Sequence, residues 1–199
     1  MKGVLMTRIF SALITFAFSA LLITFASAQE KRPVESPKPA VSPSQELLFQ
    51  WYGLFRKVTT MAEDFPQDKY DFKAQKDERT FGQNLIHLAA ALFINMSAMN
   101  GAPTRQFEDE DSLRKQYKTK EEIVKFVWQA AKSGEQLIKT QGDTGLIKEY
   151  KNPWSNDMVH GTYLWRQMLE HTGEHYGQLV VYYRVNGMVP PESRPKKND

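Results

Sequence analysis

The chain of 199 residues contains no cysteine. That single absence excludes disulfides, thiolate ligation of a metal and lipidation through a thiol. Any metal must therefore be held by nitrogen and oxygen. A large excess of one charge is missing too, since 26 basic against 23 acidic residues leave a formal net charge of +3. The only basic cluster, Arg194, Lys196 and Lys197, is short and has no interleaved aromatics. It is no nucleic-acid footprint, and no nucleic-acid partner is expected. No run alternates apolar and polar residues as a half-buried strand does, and no internal repeat is visible.

One long hydrophobic run is present, and it stands at the front. MKGVLMTRIF carries only Lys2 and Arg8 as charges, and SALITFAFSALLITF then leads to Ala26-Ser27-Ala28. A positive start, an apolar middle and a small-residue site predict a signal peptide over residues 1–28, cut between Ala28 and Gln29. The competing reading is an uncleaved anchor, because Ile9 to Ala28 is about long enough to span a bilayer. Ser11, Thr15, Ser19 and Thr24 dilute that run, and the small-residue site favours cleavage. Loss of Lys2 and Arg8 would take the charge from +3 to +1. The mature protein is then expected in the periplasm or outside the cell, with no stable membrane span. Residues 29–43, with Pro33, Pro37, Pro39 and Pro43, read as an extended linker. Residues 44–193 are one domain's worth of chain, enough to bury a core. Residues 194–199 read as a flexible, solvated tail.

Caps and periodicity predict four helices in that domain. The first opens at Ser42-Pro43, an N-cap with proline at the first helical position, and carries Leu47, Trp51, Leu54, Phe55 and Val58 as its stripe. The second opens at Thr80, with Gln83 closing a capping box, and stops at Asn100-Gly101. It is apolar on most sides and must be central: Asn84, His87, Ala91 and Ile94 form one stripe, and Leu85, Leu88, Leu92 and Met96 belong to another. The third opens at the Thr119/Glu122 capping box, after a longer polar connection at residues 101–118. The fourth runs from about Thr162 to Asn186, stopped by Gly187, with Leu164, Met168, His171, Thr172, His175, Leu179 and Tyr182 facing inward. The fold class predicted is all-α, a four-helix bundle.

His171 and His175, four residues apart, stand one turn apart on one helix face, where two imidazoles can grip one ion. His87 lies far upstream in an apolar setting. Three nitrogen ligands with an open position describe a catalytic rather than a closed structural site. One divalent ion is expected; all-nitrogen ligation favours zinc, admits nickel, iron or copper, and disfavours calcium or magnesium. Gln178, seven residues after His171 and about 20° away on the helical wheel, and Asn84, one turn before His87, are each either partners of the imidazoles or the bound water, or buried amides bonded to backbone. Glu174 also completes H-x-x-E-H, the order of a zinc peptidase in which the glutamate is general base. That class needs a third ligand well downstream, and the short hydrophobic and proline-rich remainder offers none. Glu174 then reads as a solvated glutamate flanking the pocket. His160, without such a partner, reads as a surface or capping residue. Trp51, Tyr52, Trp128, Trp154 and Trp165 read as core or interface aromatics, none assigned to substrate.

RTFGQNLIHLAAALF and HTGEHYGQLVVYYRVNGMVPPES together resemble the DinB-like superfamily of four-helix-bundle metalloproteins, through His87, His171, His175, Gly177 and Gln178. DKYDFKAQKDERTFG before the second helix resembles the same family. The resemblance covers about residues 45–193 and implies a divalent metal on the three histidines, frequent homodimers, and activities that include thiol-dependent transferases and isomerases. Tyr176 departs from the commoner arginine, which touches no ligand but alters the rim of the pocket. The signal peptide is the larger departure, because thiol cofactors are not plentiful outside the membrane. The function expected is a metal-dependent transferase or hydrolase acting on a small molecule outside the cytoplasm. The alternative is a non-catalytic metal-binding or interaction scaffold. An enzyme needs further polar groups beside the open position, and a scaffold does not.

Overall fold

The computed structural model describes residues 41–102, 110–155 and 157–195. The predicted leader, the linker up to residue 40 and the last four residues of the tail lie outside the described residues. α1 (Pro43–Asp64) starts where Ser42 Oγ accepts a hydrogen bond from the backbone of Gln45 at 3.4 Å. Pro43 is thus already helical, one residue ahead of the expected domain start. α2 (Phe81–Met99) opens on the full capping box, Gln83 N to Thr80 Oγ1 at 3.1 Å and Thr80 N to Gln83 Oε1 at 2.8 Å. Asn100 caps it and Gly101, at φ 69°, turns the chain away. Ala102 N bonds Ser97 O and Gly101 N bonds Ala98 O, which satisfies two orphan carbonyls in a Schellman arrangement.

α4 (Lys120–Ile147) opens on the Thr119/Glu122 capping box and kinks at Gly142, whose φ of 54° is left-handed. α5 (Gly161–Val185) ends on the same device as α2, with Met188 N on Tyr183 O and Gly187 N on Arg184 O. α1 and α2 each pack against α4 and α5. α1 and α2 therefore stand on opposite corners of the bundle, and α2 is brought beside α5. That adjacency is what lets a histidine from α2 meet two from α5.

Two features depart from the sequence reading. The 101–118 connection contains a short helix, α3 (Glu110–Gln116), which buries Leu113 at the foot of α2. Between α4 and α5 lies an antiparallel hairpin, β1 (Glu149–Lys151) with β2 (Met158–His160), Tyr150 opposite Val159. Three-residue strands are too short to show an alternating pattern, so the period-two signal had nothing to work on.

The core is aromatic at both ends. Trp51, 1 % exposed, donates its indole N–H to Ala131 O at 2.8 Å and meets Trp165 edge-on at 5.4 Å. The indole lies so close to α4 that a Cβ on Gly134 would stand 2.0 Å from Trp51 Cζ2. At the other end Phe65 stacks on Phe81 at 3.8 Å and tilts against Tyr183 at 5.0 Å. Tyr183 also donates to Met61 O and to Asp64 Oδ2. Arg194, expected in a solvated tail, is instead pinned by that same carboxylate, with guanidinium nitrogens 2.8 and 2.5 Å from the oxygens of Asp64. The sequence could not show this, because the partner lies 130 residues away. Among the described residues no helix is long and apolar enough to cross a membrane.

Candidate metal centre

The structure brings His87, His171 and His175 together. One ring nitrogen from each lies within 4.8 Å of the others, a group that can hold a metal ion. Ring centroids are 5.5 Å apart for His87 and His171, 5.1 Å for His87 and His175, and 4.4 Å for His171 and His175. His175 is buried, and the other two are half-buried on its outer side. The apolar neighbours Ile86 and Leu88 point into the core, as the sequence around His87 requires, while His87 itself borders a cavity.

Burial sets the protonation of this cluster. Desolvation first, then the neighbouring His171 and His87 rings and Arg79, hold the His175 imidazole down at about 3. Desolvation also lowers His171, opposed by Glu174 and reinforced by Arg79. Neutral imidazoles keep the lone pairs that metal ligation needs.

Asn84 decides the tautomer. Its Oδ1 lies 2.6 Å from His175 Nδ1, so the single proton of the neutral ring sits on Nδ1 and the lone pair on Nε2. Asn84 Nδ2 in turn donates to Gln178 Oε1 at 2.7 Å. Asn84 thus takes the imidazole-partner alternative. Gln178 is exposed and reaches Asn84 rather than a ring. The helical wheel placed it near His171 in angle, but seven residues are about 10 Å along the axis. Glu174 Oε2 is 3.8 Å from His171 Nδ1 on an exposed side chain, as a flanking glutamate would be. The third imidazole comes from upstream, so the peptidase order of residues does not describe this cluster. His160 stands at the N-cap of α5 without a side-chain cap bond; its Nδ1 lies 2.7 Å from Ile147 O, at the surface.

The fit of a metal rests on an orphan. His171 Nε2 is buried and has no hydrogen-bond partner, a state that costs about 1–3 kcal/mol for a polar atom left unsatisfied. A cation on that nitrogen relieves it, and the all-nitrogen donor set suits a borderline divalent ion.

Beside the histidines opens a cavity of about 480 Å³, lined by His87 and His171 together with Leu92, Trp154, Gln167 and Glu170 among others. Its size falls in the usual small-molecule range. Sequence reasoning left Trp154 out of the site. It sits in the turn between β1 and β2, and its Nε1 donates to Asn95 Oδ1 of α2 at 3.2 Å. Nothing local marks a hairpin residue as reaching a helix 59 positions away. Gln167 and Glu170 were missed as well, although Gln167 stands one turn before His171 and Glu170 one turn before Glu174 on α5.

The fold and the site define a four-helix-bundle protein with a three-histidine group that can hold a metal. The chain belongs to the DinB superfamily, whose family model matches residues 50–179. None of the curated proteins matches it significantly. Among solved structures it resembles a DinB-like protein from Bacillus cereus, at 15 % identity and TM-score 0.59 over 73 % of this chain and 93 % of that one. It is similar to an uncharacterised protein from Clostridium difficile, at 13 % identity and TM-score 0.59 over 74 % and 99 %. It also resembles YfiT from Bacillus subtilis, described as a probable metal-dependent hydrolase with an unusual four-helix-bundle topology, at 15 % identity and TM-score 0.54 over 77 % and 94 %. At these identities the likeness is one of fold.

Proposed function

We propose that this protein is a metal-dependent hydrolase or transferase that acts on a small molecule, with His87, His171 and His175 as the ligands of one divalent ion. The observation that carries this reading is the buried, partnerless His171 Nε2 on the wall of an open cavity. A purely structural metal site would be closed, and this one adjoins space and further polar groups. The hydrolase described among the solved structures supports the same class. A bound ion would supply Lewis acidity, polarising the substrate or lowering the pKa of water. The chain's own residues do the rest. Asn84 fixes the His175 ring, and Gln178 fixes Asn84. Leu92 and Met168 give the cavity an apolar wall, and Glu170 and Glu174 border it as carboxylates able to accept a proton. Zinc is the ion we favour. The signal-peptide pattern of residues 1–28 supports action outside the cytoplasm.

Metal analysis of wild type, His171→Ala and His160→Ala tests this reading. About one ion per chain is expected in wild type and His160→Ala, and its loss in His171→Ala. Undiminished metal in His171→Ala overturns the ligand assignment. Activated esters, amides and thiol acceptors offered to the loaded protein and to His175→Ala then test catalysis. Equal background rates in both leave a metal-binding scaffold.

A further inference from the structure

We propose that the cavity beside the histidines takes a substrate whose body is a flat aromatic ring, and that Trp154 is the residue that selects it by stacking. This rests on the reading of that cavity as the substrate site, and it names the substrate's class.

Trp154 differs from the other apolar residues around the cavity. Leu92 and Met168 are each 1 % exposed and Ala91 is buried, so they belong to the core and have little surface to offer. Trp154 is 46 % exposed. The apolar surface that the lining residues leave open therefore falls mainly on the indole. That indole is also held still. Its Nε1–H donates to Asn95 Oδ1 of α2 at 3.2 Å, and the backbone N–H of Trp154 donates to Asn152 Oδ1 at 3.0 Å. Both asparagines are buried. Asn95 is anchored in turn, its Nδ2 on Ala91 O at 3.1 Å, and the backbone N–H of Asn152 is bonded to Asp157 O at 2.9 Å across the hairpin turn. A buried amide costs free energy unless it is hydrogen-bonded, and here two of them serve one half-exposed residue. Pro153, between Asn152 and Trp154, fixes a further backbone angle.

A ring immobilised before binding loses little conformational freedom when a ligand settles on it. The same bond fixes what the ring can recognise. An indole has one polar donor, and Asn95 holds it, so a flat π-surface is what remains for a ligand. Such a surface favours an aromatic partner over a saturated one of equal size, because stacked or edge-on rings attract beyond their area burial. The cavity, at about 480 Å³, has room for one ring and a polar head. Charge selects less. Glu170 and Glu174 are exposed, and their charge opposes that of the ion proposed on the histidines. The head of the substrate is left to the ion, and its body to Trp154.

The test uses three hydroxamates that share one metal-binding head, benzohydroxamate, cyclohexanecarbohydroxamate and acetohydroxamate, titrated by calorimetry into zinc-loaded full-length protein. Benzohydroxamate is expected to bind at least about tenfold more tightly than acetohydroxamate, and severalfold more tightly than the cyclohexyl compound, which is no less apolar. In Trp154→Ala both preferences should disappear while acetohydroxamate stays within about twofold of its wild-type affinity. Trp154→Phe, which keeps a ring, should retain part of them, and Asn95→Ala, which releases the indole without removing it, should fall between wild type and Trp154→Ala. Equal binding of the phenyl and cyclohexyl compounds, or a preference that survives in Trp154→Ala, overturns the proposal. So does an equal weakening of all three probes in Trp154→Ala and Trp154→Phe, which would make Trp154 a tie between hairpin and helix. Chelator-treated protein is read separately with benzyl alcohol and cyclohexylmethanol, by NMR at the Trp154 indole N–H, assigned with Trp154→Phe. Tighter binding of benzyl alcohol is expected there, and no shift with it overturns the proposal. Zinc lost but benzyl alcohol preferred would remove the metal reading alone. Zinc retained and acetohydroxamate bound, with no aromatic preference, would remove this one alone.

Discussion

Asn84 Oδ1 and His175 Nδ1 lie 2.6 Å apart, one on α2 and the other on α5. This contact fixes which nitrogen of the buried ring bears the proton, and it ties together the two helices that supply all three histidines. It belongs to a chain of three side chains, His175 to Asn84 to Gln178, that grades from buried to exposed.

That grading sets an order of effects on metal affinity. Asn84→Ala should weaken zinc binding by roughly tenfold to a hundredfold, as loss of a ligand's hydrogen-bond partner commonly does. Asn84→Asp keeps an acceptor for Nδ1 and should retain most of the affinity. Gln178→Ala, one bond further out, should cost less than Asn84→Ala. Competition with a chromophoric chelator measures all three, and a larger effect at Gln178 than at Asn84 contradicts the relay.

The metal-free protein should lose stability as pH falls. His175 titrates at about 3 in the native state against an ordinary value of 6.5. Below pH 6.5 the unfolded chain takes up a proton that the native state refuses, so stability is complete above 6.5 and drains away toward pH 3. The slope approaches about 1.4 kcal/mol per pH unit for one such group. His171, lowered by the same burial, adds in the same direction. Urea midpoints of chelated wild type and His175→Gln between pH 7 and 4 check this, with the variant showing the shallower decline. Parallel curves would remove His175 from the account.

Two glycines in helices should respond in opposite senses to alanine. Gly53 in α1 has nothing within 4 Å of a new Cβ, so Gly53→Ala should stabilise by up to about 1 kcal/mol through helix propensity. Gly134→Ala puts a methyl 2.0 Å from Trp51 Cζ2. The indole, buried and hydrogen-bonded, cannot step aside, and overpacking of about 1–3 kcal/mol should outweigh the propensity gain. Thermal unfolding of both variants decides it; a Gly134→Ala melting temperature at or above wild type would be the contrary result.

The Arg194–Asp64 pair should be worth little in spite of its bidentate geometry, because both side chains are substantially exposed. A double-mutant cycle of Arg194→Ala and Asp64→Ala should give a coupling below about 1 kcal/mol, shrinking with salt. Its larger effect should be local. Trypsin should cleave the C-terminal segment faster in Arg194→Ala than in wild type, and equal rates would leave the pair without a role in holding that segment.

The sequence by itself determined the four long helices and those of their ends that local chemistry caps. Capping at Ser42, Thr80 and Thr119 and the stops at Gly101 and Gly187 are short-range chemistry, each settled by residues within one turn of the helix terminus. It also determined which histidines to consider, because the i, i+4 spacing of His171 and His175 is a helical distance, and His87 stood out against an apolar background. What it could not decide was everything that depends on which helices are neighbours. The diagonal placement of α1 and α2 brings α2 against α5, and only then do His87 and Asn84 meet His171 and His175. For the same reason Gln178 serves Asn84 and not a ring: an angle on a helical wheel says nothing of a partner on another helix. Trp154, Gln167 and the cavity they border arise from a hairpin folding over two helices, and the Asp64–Arg194 clasp from two chain segments far apart in sequence. Local hydrogen bonds and periodicity are written in consecutive residues, whereas the cavity, the buried orphan on His171 and the depressed His175 exist only once packing has excluded water.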